Sequence, residues 1–215
     1  MIDIKACIFD LDGVIVDTAR YHFIAWKKLA EKLGIDFTEE DNERLKGVSR
    51  MDSLNIILDI GGLTLSENEK EKYAAEKNEI YLSYILKMTP DELLPGVAEF
   101  LTGLKKQGIA LALGSASKNA MTILGKIGLL YIFDAIVDGT RVSKAKPDPQ
   151  VFLTGAAMLG VEPSSCVVFE DAIAGVEAAH RAGMKCVGIG SPVLLSDADL
   201  IIDGFKNFNP DDLRF

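Results

Sequence analysis

The sequence predicts an α/β fold: a Rossmann-like parallel sheet core with helices on both faces, plus a small inserted all-helical cap domain. Three observations predict it. Six short apolar runs recur along the 215 residues. Helical patterns fill the gaps between several of them. One long early stretch is helical throughout and holds no convincing strand. Strand–helix–strand repetition is the pattern of a parallel sheet covered on both faces.

The first run, IKACIF at residues 4–9, reads as a buried strand. The helical stretch follows at 16–91. There Phe23, Trp26, Leu29, Ala30 and Leu33 share one helical face, and Gly34 stops the helix. Thr38-x-x-Asp41, Ser66-x-x-Glu69 and Thr89-x-x-Glu92 have the form of capping boxes or variants of them. A crossover between parallel strands needs only one helix. Several helices in succession therefore mark an insertion, with connections near 14–18 and 87–95. The expected division is a core of residues 1–15 and 92–215 and a cap of 16–91.

Beyond the insertion, strand runs return at 109–114, 134–137, 166–169, 186–189 and 200–202. Val97, Phe100, Leu101 and Leu104 mark a helical face that Gly108 ends. Asp148 can cap a helix whose first residue is Pro149 and whose stop is Gly160. The segment 172–182 runs to Gly183 in the same way. There is neither a repeat nor a low-complexity tract.

Composition narrows the function classes. The net charge of −9 argues against a general nucleic-acid or anionic-membrane surface. Cys7, Cys166 and Cys186 are odd in number, lack a C-x-x-C spacing and fall in strands or at their starts. Buried free thiols in a reducing compartment fit, and the expected location is cytoplasmic. The N-terminus, MIDIK, lacks a signal-peptide pattern, and no apolar stretch has the length of a membrane span.

The chemistry gathers where strands stop. In an open parallel sheet, sites form beyond the carboxyl ends of the strands. Asp10 stands at such an end, and Asp12 shares its face, roughly 6–7 Å away in an extended chain. Gly13 lets the chain turn sharply behind them. Two carboxylates that close need a cation, or one must hold a proton. Ser115 follows the IALALG run, and Ala116-Ser117-Lys118-Asn119 lead into a helix. Hydroxyls and backbone N–H groups at a helix start suit a phosphate. Glu170 and Asp171 follow CVVF, and Lys146 lies in a loop after DAIV. Taken singly, D-x-D is ordinary turn chemistry, Ser115 a helix cap, Lys146 a solvated loop residue and Glu170-Asp171 first-turn acids. Together they make a set for phosphoryl transfer assisted by Mg²⁺. The oxygen-only ligands argue against zinc.

The motif Phe9-Asp10-Leu11-Asp12-Gly13-Val14, the strand-end Ser115, Lys146-Pro147 and Glu170-Asp171 resemble the haloacid dehalogenase superfamily of phosphotransferases. Within it the chain is similar to the β-phosphoglucomutase family. Matching segments are Thr18, Tyr21-His22-Phe23, Ala25-Trp26-Lys27, Leu45-Lys46-Gly47-Val48-Ser49-Arg50, Asp52-Ser53-Leu54, Lys77-Asn78 and Ser115-Ala116-Ser117-Lys118-Asn119. The likeness runs to about residue 190 and then thins.

That resemblance implies roles. Asp10 is the nucleophile and forms an aspartyl phosphate; Asp12 is the general acid and base. Mg²⁺ is held by the Asp10 carboxylate, the Asp12 backbone carbonyl and Asp171, with Glu170 close by. Ser115 and Lys146 hold the transferring phosphoryl oxygens. Arg50, Ser117 and Asn119 surround the sugar's other phosphate. His22 and Lys77 orient substrate and Asp12. Thr18, Lys46, Gly47, Val48, Ser49, Ser53, Ala116 and Lys118 complete the substrate-binding set.

The implied activity interconverts β-D-glucose 1-phosphate and glucose 6-phosphate through a glucose 1,6-bisphosphate intermediate, in a monomer whose partner is a small sugar phosphate. Two other readings share much of this sequence. One is a phosphatase of the same fold acting on a small phosphoester, against which only the cap residues His22, Arg50 and Lys77 speak. The other is a non-enzymatic phospho-acceptor or sugar-phosphate sensor. That needs neither Asp12 at this spacing nor so large an insertion.

Overall fold

The computed structural model describes residues 2–45 and 48–215, so Lys46 and Gly47 lie outside the described residues. β1 (Ala6–Phe9) is followed by α1 (Ala19–Lys32), α2 (Glu39–Glu43), α3 (Arg50–Ile60) and α4 (Glu67–Ile85). The chain then alternates: α5 (Val97–Lys106), β2 (Ala110–Gly114), α6 (Ala120–Lys126), β3 (Ala135–Val137), α7 (Gln150–Leu159), β4 (Cys166–Glu170), α8 (Ile173–Arg181), β5 (Lys185–Ile189) and β6 (Leu200–Ile202). The six strands form one sheet in the order β3-β2-β1-β4-β5-β6. Every pairing is parallel. Each expected strand is present, shifted by at most two residues at an end.

Side-chain alternation divides β1 between two cores. Cys7 and Phe9 pack with Val97, Phe100 and Leu101 of α5 and Ile123 of α6. Ala6 and Ile8 pack with Val151 and Phe152 of α7 and Val176 of α8. Two helices thus cover each face, as a buried parallel sheet requires. Phe9 stacks on Phe169 of the neighbouring strand at 4.5 Å. Such a pair adds about 0.5–1.5 kcal/mol beyond the area it buries. Cys7, Cys166 and Cys186 are buried free thiols. Burial pushes each thiol up, which keeps it unreactive.

The helices α1–α4 are a cap inserted after β1, and they hold an apolar cluster of their own. Trp26, Leu29, Phe37, Leu54, Ile57 and Ala74 are among its buried members. Two of the expected capping boxes form, at Thr38–Asp41 and Ser66–Glu69. The third does not. Glu92 turns instead to Arg20 and Tyr21, accepting from Arg20 Nη2 at 2.5 Å and from Tyr21 Oη at 2.7 Å. A charged partner outcompetes the local N–H. The cap of α7 is displaced by one residue. Pro149 is the N-cap itself, and Asp148 Oδ1 accepts from Gln150 N at 3.0 Å.

The two connections of the cap lie side by side. Val16 bridges Leu93, and Leu94 N donates to Ile15 O at 3.0 Å. Among the described residues, no helix is long and apolar enough to cross a membrane.

Candidate active site

Strand register brings the chemistry together. Phe9 is level with Leu113 on one side and Phe169 on the other. The next residues along these strands therefore emerge side by side: Asp10, then Gly114-Ser115, then Glu170-Asp171. β1 sits where the strand order reverses, the place where open α/β sheets hold ligands. A cavity of about 490 Å³ opens there, floored by these strand ends and roofed by the cap.

Buried charge organises the floor. Lys146 is 6% exposed. Its Nζ donates to Asp10 Oδ1 at 2.5 Å and also to Glu170 Oε1. Burial alone would strip its proton, but the two carboxylates outweigh it and hold the ammonium charged. Asp10 Oδ2 accepts from Asp12 N at 3.0 Å, which fixes the carboxylate across the turn. The Glu170 carboxyl is pushed up by burial, with Lys146 opposing. Glu170 Oε2 accepts from the N–H groups of Asp171 and Ala172 at 3.1 and 3.2 Å.

Asp12 answers the question its spacing raised. Burial and then the Asp10 charge push its carboxyl up to about 7, while Lys146 and Lys77 pull the other way. A carboxyl held there can pass a proton near neutral pH, the property that a general acid and base needs. Thr18, fully buried and behind the cavity wall, donates its hydroxyl to Asp12 Oδ1.

The loop after β2 supplies anion donors. Ser115 Oγ accepts from Ser117 N at 3.1 Å, and Ser117 Oγ accepts from Asn119 N at 3.2 Å. Among the described residues neither hydroxyl donates, so each O–H can turn to an anion's oxygen. Ala116 and Lys118 line the same wall. Gly139 is required beside it, because a Cβ there would lie 2.1 Å from Ala116 O.

From the cap come His22, Val48, Ser49, Arg50, Ser53 and Lys77. Lys77 is 2% exposed. Its Nζ sits 2.9 Å from His22 Nδ1 and over the rings of Trp26 and Tyr81 at 4.6 and 4.8 Å. Burial and Arg50 lower it to about 7. Burial, Lys77 and Arg50 keep His22 neutral. Ser49 caps α3, its Oγ accepting from Asp52 N and donating to Asp52 Oδ2.

The floor suits a hard cation. Gly13 allows Asp171 close to the D-x-D turn: a Cβ there would come within 2.1 Å of Asp171 Oδ2. Asp10, Asp171 and the Asp12 backbone carbonyl are the oxygen donors that would hold such an ion. Among the described residues no three acidic, His or Cys side chains form a complete metal cage. Mg²⁺ needs none, since it keeps several waters and binds through one or two carboxylates and a substrate phosphate.

A family model for haloacid dehalogenase-like hydrolases matches residues 4–183. The β-phosphoglucomutase of Bacillus subtilis (strain 168) is 48% identical over 200 residues, covering 92% of this chain and 88% of that protein. The chain belongs to the haloacid dehalogenase superfamily, in its β-phosphoglucomutase family. The crystal structure of β-phosphoglucomutase from Clostridium difficile superposes with a TM-score of 0.94 at 44% identity, over 97% of this chain and 94% of that one. A phosphorylated carbohydrates phosphatase of Thermotoga maritima is 37% identical over 184 residues, 84% of this chain and 82% of that protein.

The cavity wall also holds residues that sequence reasoning did not place in the site. Tyr81 lies 4.2 Å from the His22 ring, and Asn78 contacts Arg50 and Asn119. Tyr81 follows Lys77 by four residues on α4, so helical spacing alone puts it on the same face. Trp26 is part of the cap core, as expected, and also floors Lys77.

Proposed function

We propose that the protein is a Mg²⁺-dependent mutase that interconverts β-D-glucose 1-phosphate and glucose 6-phosphate. Residues 16–91 form its cap and residues 1–15 with 92–215 its catalytic core. One observation carries this reading: a single cavity offers cationic or hydrogen-bonding groups to an anion at both ends. Lys146 and Ser115 serve the floor. Arg50, Ser117 and Asn119 serve the roof side. A bisphosphate must turn end for end between two transfers, and so needs both places.

Asp10 attacks the phosphorus and the sugar oxygen leaves. Asp12 gives that oxygen its proton, and in the second transfer takes one from the hydroxyl that attacks the aspartyl phosphate. Lys146 and Ser115 steady charge on the equatorial oxygens. Bound at Asp10, Asp171 and the Asp12 carbonyl, Mg²⁺ would offset repulsion between the nucleophile and a dianionic ester. His22 and Lys77, from the cap, help orient the substrate and Asp12. Water on the aspartyl phosphate would make the protein a phosphatase, the reading that the Thermotoga maritima relative keeps in play.

Incubation with Mg²⁺, β-glucose 1-phosphate and a trace of glucose 1,6-bisphosphate separates the readings. Glucose 6-phosphate is the expected product. Free phosphate in its place indicates the phosphatase, and neither product the phospho-acceptor. The site is proposed for a small sugar phosphate in a monomeric, cytoplasmic enzyme.

Two variants test its two ends. Asp171→Ala should raise the Mg²⁺ concentration for half-maximal activity at least about 10- to 100-fold, a loss that even outer-sphere partners of a metal cause. An unchanged requirement, or full activity after exhaustive chelation, removes the metal from this place. Arg50→Ala should weaken binding of the sugar phosphate about 10- to 150-fold, since a charge-assisted contact contributes about 1.5–3 kcal/mol. Acetyl phosphate, which has no second phosphate, should suffer much less. Equal losses with both compounds argue against a second phosphate position.

A further inference from the structure

Asn78 lies on α4, in the cap. Its Oδ1 accepts from Arg50 Nη2 at 2.7 Å and from Asn119 Nδ2 at 3.0 Å. Arg50 begins α3 in the cap, whereas Asn119 caps α6 in the core. The orientation of the Asn78 amide is forced. A guanidinium only donates, so the atom facing it must be the carbonyl oxygen. One oxygen therefore holds a cap cation and a core amide at a single point and fills both of its lone pairs.

Charge makes the arrangement informative. Among the described residues no carboxylate pairs with Arg50; burial is the main influence on it. Lys77 is close enough that Arg50 depresses its proton affinity. A half-buried guanidinium beside a buried lysine would ordinarily recruit an acid. Here it meets a neutral amide, which satisfies hydrogen-bond geometry and leaves the positive charge uncompensated.

We propose that Asn78 is a positioning residue and a neutral stand-in for the substrate's second phosphate. Its carbonyl oxygen holds Arg50 and Asn119 at the spacing one phosphate oxygen requires and latches the cap to the core meanwhile. An incoming phosphate displaces it and meets donors already in place. This inference rests on the two-phosphate reading of the site.

Asn78→Asp and Asn78→Ala separate the stand-in from a simple latch. Asn78→Asp keeps the shape and both hydrogen bonds but neutralises Arg50. It should raise KM for β-glucose 1-phosphate at least tenfold, with a smaller fall in kcat, and leave hydrogen exchange of residues 115–120 in the ligand-free protein as in wild type. Asn78→Ala should speed that exchange and raise KM less. Wild-type KM in Asn78→Asp, or two variants alike in KM and exchange, overturns the proposal. If the wild-type protein turns over no sugar phosphate, the two-phosphate reading fails. The exchange comparison then still decides whether Asn78 latches the cap.

Discussion

Asp10→Asn is expected to lower turnover by about 10⁴- to 10⁶-fold, the scale on which loss of a nucleophile is felt. The amide keeps one oxygen and can accept from either Asp12 N or Lys146, but it cannot take a phosphoryl group. Lys146 retains its pairing with Glu170, so the floor stays charged and folded. The measurement is formation of glucose 6-phosphate in a preparation shown free of host mutase, with the circular dichroism spectrum as the check on folding. Substantial residual turnover by a folded variant takes Asp10 out of the nucleophile's role.

Asp12→Ala should cost roughly 10²- to 10⁴-fold, the usual contribution of a positioned acid and base. It leaves the nucleophile and Asp171 in place. It also strands the buried Thr18 hydroxyl, at about 1–3 kcal/mol of stability. Asp12→Asn keeps an acceptor for Thr18 and isolates the proton-transfer defect. The pH profile gives an independent readout. The Asp12 carboxyl is pushed up to about 7, so it is protonated below that value and ionised above it. Transfer from glucose 1,6-bisphosphate onto Asp10 needs the protonated form. Its rate should therefore fall as pH rises through about 7, and Asp12→Asn should lose that limb. A flat profile in the wild-type protein counts against Asp12 as the acid.

Much of the floor was legible because Asp10, Ser115 and Glu170 each follow directly on an apolar run. Where such a run stops, a buried parallel strand stops, and parallel register then makes the ends of β1, β2 and β4 coincide. Lys146 was readable as a loop lysine that completes a phosphoryl-transfer set; its burial between two carboxylates is a tertiary fact. The cap was harder. The N-terminal part of α4, up to Glu79, is rich in charge, so nothing local separates Lys77 and Asn78 from the solvated charges of the same helix, and the partners of Asn78 come from α3 and α6. Glu92 shows the same limit from the other side. Three residues after Thr89 it fits a local capping pattern, yet Arg20 and Tyr21, about seventy residues away, claim its carboxylate. Thr18 was expected among the substrate contacts. It lies one layer behind, fully buried, with its hydroxyl turned to Asp12.

That connection carries an evolutionary corollary. Ile15 and Leu94 are hydrogen-bonded neighbours, so the excursion between them leaves and re-enters the core at practically one point. Excising it would leave two ends that a short loop can join, the circumstance under which inserted segments are tolerated. The proposed phosphoryl-transfer floor and the cap over it are thus separable cassettes. A lineage can replace or remodel the roof, and with it the preferred ester or the fate of the aspartyl phosphate, while the sheet beneath keeps its register.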